Sequence, residues 1–259
     1  MSEPTPGSFH GGVDSEITEE QQRAVERIRK LNTTEVKLEA SEGLVGDLTA
    51  FVEEFMPTTD LVYYPCCGPD ISPSRVFGSN VLYLDYSKKN VDALQASGFK
   101  AVEADANEYN PGPVDVLLIF NPQVKPFSLL RSVKEDGYVV CNDYHSTATD
   151  ISKVKDFEFV GALTDDDKID HQNLEAYWQQ VETDEELDAA NPTAARHIRD
   201  DVKKVTGQAE HILESYRKIL AESPDGRMMP DGGFVALWAI PKKKQGTSYI
   251  FKRKTEEAR

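Results

Sequence analysis

The stretch LVYYPCCGPDISPS (61–74), with NVLYLDYS (80–87), KAVEADANEY (100–109) and VDVLLIFNPQ (114–123) behind it, decides the fold. Each segment is an apolar run of strand length that stops on small, acidic or amide residues: Gly68, Asp85, Asp105 and Asn121-Pro122. A parallel sheet buries both of its faces, so its strands read as near-continuous apolar runs and not as alternation. Ligands of such sheets bind outside the carboxyl ends of the strands, where these polar residues fall.

Working outward, GYVVCND (137–143) reads as a fifth strand and FEFVGAL (157–163) as another. VDALQASGF (91–99) is a helix ended by Gly98, Pro126–Val133 carries a further helix, and Thr149–Asp156 a short one. Upstream, Thr18 and Gln21 form a capping box for a helix over Ile17–Leu31. Ser41 caps a second helix whose apolar face is Leu44, Leu48, Phe51, Val52 and Phe55, with Pro57 beyond it. FVALWAI (234–240) and SYIFKRK (248–254) read as strands of a hairpin joined by PKKKQGT.

The composition turns polar and helical from residue 164 to 230. Asn191-Pro192 starts a helix, and Ile198, Val202, Val205, Ala209, Ile212, Tyr216 and Ile219 form one narrow apolar seam along it. That seam suits packing on its own domain or a homodimer through the 192–220 helix. The organisation expected is a tail (1–16), N-terminal helices and a Rossmann-like core (17–163), a helical insertion (164–230) placed to cover the ligand crevice, and terminal strands completing the core sheet with a charged tail (231–259). The fold class is α/β: a doubly wound, mostly parallel sheet with antiparallel terminal strands.

The formal net charge of −16 disfavours broad binding to nucleic acid, which rests on Lys and Arg. Lys242-Lys243-Lys244, near Lys252, Arg253 and Lys254, is the one basic spot and reads as a solvated turn and strand end. No apolar run approaches the roughly 18–20 residues of a membrane span, and the opening MSEPTPGSFHGGVDSE reads as no signal peptide. Cys66, Cys67 and Cys141 give neither a disulfide framework nor a zinc spacing, so a reducing cytoplasm and no metal are expected.

In the first loop Gly68 lets backbone approach a ligand closely, and Ser72-Pro73 reads as the cap and first position of a helix whose N–H groups could face an anion. Asp85 can accept two hydrogen bonds from a ribose diol, or cap the following helix together with Ser87. Asp105 can accept from the exocyclic amine of an adenine, or be a solvated loop acid. Asn121 both donates and accepts at the crevice, and Asn121-Pro122 is also an ordinary strand exit. Asp143, Tyr144 and His145 close strand five, which makes His145 the candidate general base.

Taken together, residues 58–145 resemble the class I S-adenosylmethionine-dependent methyltransferases, a Rossmann-like family whose first loop reads acid-x-Gly-x-Gly-x-Gly. Here Tyr64 stands at the acid, Cys66 at the first glycine, Gly68 at the second and Asp70 at the third. The resemblance implies S-adenosyl-L-methionine as cofactor, held by Tyr64, Pro65, Cys66, Gly68, Asp85, Tyr86, Asp105 and Ala106. Asp85 would take the ribose and Asp105 the adenine side. Asn121, Tyr144 and His145 would orient or deprotonate a small acceptor. The altered loop leaves a second reading open, a non-catalytic relative that binds a nucleotide or a protein. A nicotinamide-dependent oxidoreductase is disfavoured by the missing G-x-G-x-x-G.

Overall fold

A computed structural model describes residues 36–120, 124–143, 146–164, 168–190, 192–207, 211–222, 227–228, 234–235 and 242–256. The chain divides into Met1–Lys37 and Leu38–Arg259, and every element described belongs to the second unit. The expected tail and the helix over Ile17–Leu31 lie outside the described residues.

Helix α1 (Glu42–Phe55) is followed by strand β1 (Val62–Pro65), helix α2 (Ser72–Phe77), strand β2 (Val81–Asp85), helix α3 (Lys88–Ala96) and strand β3 (Lys100–Glu103). Strand β4 (Val114–Ile119), helix α4 (Phe127–Leu130), strand β5 (Val133–Cys141), helix α5 (Thr147–Ile151) and strand β6 (Phe157–Leu163) continue the alternation. Then come strand β7 (Ile169–Asp170), helices α6 (Asp184–Ala190), α7 (Pro192–Thr206) and α8 (Ile212–Glu222), strands β8 (Arg227–Met228) and β9 (Phe234–Val235), and strand β10 (Ser248–Arg253).

Eight strands make one sheet in the order β3-β2-β1-β4-β5-β10-β6-β7. Pairings from β3 through β5 are parallel, whereas β10 runs antiparallel to both β5 and β6. This is the α/β, doubly wound architecture that the alternating segments imply. The strand order reverses between β1 and β4, which opens a crevice at their carboxyl ends.

Strand β4 shows why the apolar runs take this form, since all six of its residues are buried. Leu117 and Ile119 enter a core shared with Tyr63, Leu129 and Val139 on one face. Val116 and Leu118 enter the opposite core, shared with Leu48, Phe51 and Leu94 of the covering helices. Each such buried aliphatic side chain contributes about 1.5–3 kcal/mol. Helix α1 starts as its sequence says: the Ser41 side chain accepts the Leu44 N–H, and Leu48 and Phe51 are wholly buried.

Four expectations need correction. First, β10 forms no hairpin with the 234–240 segment, because both of its edges are taken by β5 and β6. Of that segment, Phe234–Val235 pairs instead with Arg227–Met228 in a separate two-stranded sheet, and residues 236–240 lie outside the described residues. Second, the single seam from 198 to 219 belongs to two helices, α7 and α8, with Gly207 at φ 71° after the first. Their apolar residues Ile198, Val202, Ile212, Tyr216 and Ile219 bury one another together with Val181 and Leu187 of the same insertion. Third, strand five begins earlier than residue 137, at Val133, and passes through Asp136 at φ 59°. Fourth, the lysine run is no solvated turn. Lys242 pairs with Asp143, Lys243 with Glu186 and Lys244 with Asp170, joining three separate elements.

Among the described residues no helix is long and apolar enough to cross a membrane.

Candidate functional site

The crevice at the carboxyl ends of β1, β2 and β4 is built around the loop that leaves β1. Pro65 ends the strand and is buried. Cys66 follows at φ 54° and Gly68 at φ 57°, two left-handed residues that turn the backbone sharply. The Gly68 N–H donates to Asp85 Oδ2 at 2.8 Å, and the Cys67 N–H to the Leu84 carbonyl at 3.2 Å. The end of β2 therefore holds the loop of β1. A Cβ added at Gly68 would meet nothing within 4 Å, so the glycine faces open space.

Asp85 is 5% exposed, and its second oxygen accepts the Ser87 N–H at 2.7 Å. It thus braces the turn before α3, which itself carries no side-chain cap. Those two bonds use one lone pair on each oxygen, and an ionised carboxylate offers about four acceptor positions. The next residue, Tyr86, is 73% exposed. Asp105 is exposed and accepts from the Asn107 N–H at 2.8 Å and its carboxamide at 3.2 Å. Asn107 is tied onward through Ser128 and Arg131.

Asp85 and Asp105 line one hollow of about 620 Å³, with Cys66, Gly68, Tyr86, Asn90, Ala106 and Val124 among the residues around it. This lies within the roughly 300–1,000 Å³ common for small-molecule sites. Of the residues expected at the cofactor, Cys66, Gly68, Asp85, Tyr86, Asp105 and Ala106 come together here. Tyr64 does not line this hollow, and Pro65 is absent from its wall. Asn121, Tyr144 and His145 lie outside the described residues.

Tyr64 points into the opposite layer. It is 3% exposed, stands near Tyr83 and Phe120, and donates its hydroxyl to Asp70 Oδ2 at 2.9 Å. Burial, and then the Asp70 charge, push the Tyr64 phenol well above its ordinary pKa. Burial does the same to the Cys67 thiol, so that cysteine is a poor nucleophile. The expectation for Ser72 needs correction. Ser72 is the first helical residue and not the cap, which is Ile71, and both its N–H and its hydroxyl donate to Asp70 Oδ1. The protein's own carboxylate thus satisfies the N–H of the first helical residue.

A second hollow of about 540 Å³ meets the first at Cys66 and Gly68, which line both. Its wall includes Ser41, Gly43, Leu44 and Asp47 around the start of α1, Tyr64, Asp70, Phe120, Asn142, Thr164, and Thr247-Ser248 at the start of β10. Asp47 is 6% exposed and accepts the Thr247 hydroxyl at 3.1 Å and the Ser248 hydroxyl at 2.5 Å. Sequence reasoning did not single out Asp47, although an acid between Leu44 and Leu48, on the apolar face of α1, was the available signal. Asn142 and the 247–248 pair carried no local signal, because only the long-range pairing of β10 with β5 brings them together.

At the end of β5, Asp143 accepts the Thr149 N–H at 2.8 Å and the Lys242 ammonium at 2.5 Å. Lys242 lies 4.6 Å from the centre of the Trp178 ring, so a cation from the last segment is locked over strand five by charge and by an aromatic face.

No protein-family model matches this chain. No curated protein matches it in sequence. Solved structures similar to it include StiE O-MT, 15% identical over 91% of this chain and 77% of that one, with a TM-score of 0.40. The N-methyltransferase NodS from Bradyrhizobium japonicum, in complex with S-adenosyl-L-homocysteine, is 7% identical over 50% of this chain and 64% of that one, with a TM-score of 0.27. The plantazolicin methyltransferase BpumL, also with S-adenosyl-L-homocysteine, is 14% identical over 53% and 59%, with a TM-score of 0.31. The order of the strands in the sheet itself defines the architecture.

Proposed function

We propose that the chain is an S-adenosylmethionine-dependent methyltransferase acting on a small molecule. The single observation that carries the reading is the juxtaposition of Gly68, Asp85, Tyr86 and Asp105 around one hollow at the strand-order reversal. These residues suit an adenosine. Asp85 keeps acceptor capacity for a ribose diol beyond the bonds it makes to Gly68 and Ser87. The exposed ring of Tyr86 offers a stacking face, and Asp105 offers an acceptor for an exocyclic amine. The glycine faces open space where the cofactor backbone would pass.

When bound, the sulfonium supplies an already activated methyl group. The protein's share is then to align the acceptor and exclude water. Cys66 and Gly68, common to both hollows, mark where the two ligands would meet. Asn121, Tyr144 and His145 stay the proposed groups for orienting or deprotonating the acceptor.

A second reading, a non-catalytic relative that binds a nucleotide or a protein, is favoured by the altered loop. Tyr64, Cys66 and Asp70 replace residues of the resembled pattern, and the Asp70 carboxylate already fills the start of α2. Photo-crosslinking with methyl-labelled S-adenosylmethionine tests the cofactor site, and transfer of the labelled methyl to an added small-molecule acceptor separates the enzyme from the non-catalytic relative. Label confined to peptides spanning 61–75 or 81–109, and displaced by S-adenosylhomocysteine, supports the cofactor site. Label spread over the chain, or not displaced, contradicts it.

A further inference from the structure

We propose that the second hollow is a subsite for a small organic ammonium ion carrying an apolar group; its role as the acceptor site rests on the methyltransferase reading above. The hollow is a cavity in its own right, about 540 Å³, and it shares Cys66 and Gly68 with the wall of the first. Its position above the carboxyl ends of β1, β4 and β5 is where such sheets take ligands.

The sign of the ligand follows from the wall. Two carboxylates, Asp47 and Asp70, line the hollow, together with the neutral polar groups of Ser41, Asn142, Thr164, Thr247 and Ser248, and neither lysine nor arginine is among its described lining residues. Asp70 is held by neutral donors, namely the Tyr64 hydroxyl and the N–H and hydroxyl of Ser72. A concave surface lined by one sign of charge focuses the field and concentrates ions of the opposite sign. A carboxylate or phosphate ligand would be repelled, and an ammonium attracted. The rest of the wall is apolar and aromatic: Tyr64 and Phe120, in edge contact with ring centres 6.3 Å apart, and Leu44. Aromatic faces favour a cation with an attached apolar group.

The test is calorimetry of the whole chain with phenethylamine, its neutral counterpart 2-phenylethanol and its anionic counterpart phenylacetate, with S-adenosylhomocysteine titrated separately. Two variants accompany the wild type. Asp70→Asn removes charge while its amide can still bond Tyr64 and Ser72. Gly43→Leu puts bulk at the mouth, where an added Cβ meets only the Ser41 hydroxyl at 4.0 Å. The expected result is that phenethylamine binds at least tenfold more tightly than either counterpart. Both variants weaken it tenfold or more, and Gly43→Leu leaves S-adenosylhomocysteine within threefold of wild type. Equal affinity for the amine and the alcohol overturns the subsite, as does loss of S-adenosylhomocysteine together with the amine in Gly43→Leu. Amine binding of the expected pattern in a protein that gives no heat with S-adenosylhomocysteine upholds the subsite and overturns the methyltransferase reading instead.

Discussion

The Tyr64 hydroxyl donates to the Asp70 carboxylate across the loop that follows β1, at 2.9 Å. These two residues stand where the resembled family has an acid and a glycine, and here they are partners. The bond draws the Tyr64 ring into the layer beneath α1 and α2, away from the hollow that Asp85 and Asp105 line. The loop thus keeps an open cradle at Gly68 despite its bulkier side chains.

Tyr64→Phe removes that donor from a carboxylate and keeps the ring. A hydrogen bond to a charged group is worth about 1.5–3 kcal/mol, so the variant is expected to unfold in urea with a stability lower by about that amount. Its affinity for nucleoside ligands should stay near wild type, because the hollow does not include Tyr64. A large loss of ligand affinity with unchanged stability would contradict this role.

Gly68→Ala and Cys66→Gly make an opposed pair. Both positions have positive φ. Alanine at 68 adds a left-handed strain of about 1–2 kcal/mol and places a methyl in the open space shared by the two hollows. S-adenosylhomocysteine should bind it at least tenfold more weakly, with only a modest fall in melting temperature. Glycine at 66 relieves the same strain, so its stability should stay within about 1 kcal/mol of wild type, packing losses offsetting the relief.

Lys242→Met strips Asp143 of its cation. The pair is partly buried, with side-chain exposures of 14% and 23%, and a hydrogen bond to a charged group contributes about 1.5–3 kcal/mol. Denaturant unfolding should show a loss approaching that range. The double variant Asp143→Asn with Lys242→Met should recover part of it, and simple additivity would argue against a direct pair.

Asp170 titrates in acid. The Lys244 ammonium, followed by the Gln172 N–H, holds its carboxyl down at about 2, against an ordinary 3.8. A carboxyl lowered in the folded state adds stability above its unfolded pKa, and loses it as pH falls through the folded one. The stability difference between wild type and Asp170→Asn should therefore be constant above about pH 5 and shrink progressively as pH falls through about 2. Thermal melts across that window check it. A difference that grows on acidification would contradict the assignment.

The sequence made the parallel core readable because strands buried on both faces leave an uninterrupted apolar record, as in Val114–Ile119. The acids at the strand ends were readable for the same reason, since Asp85 ends its run. Elsewhere the record was ambiguous. The apolar seam of α7 and α8 kept one period because both helices face the same small core, so the break at Gly207 looked continuous. The place of β10 and the partners of Lys242, Lys243 and Lys244 depend on residues far away in sequence. Asp70 looked like a lost glycine, and only the folded loop shows that it bonds Tyr64 and Ser72.

The most direct measurement is a calorimetric titration of wild type and Asp85→Asn with S-adenosylhomocysteine, each first shown to be folded by circular dichroism. Saturable binding by wild type, weakened at least tenfold in the variant, is the expected result. No heat from wild type at millimolar ligand, or equal affinity in both proteins, would contradict the claim that the hollow beside Gly68 and Asp85 holds an adenosine.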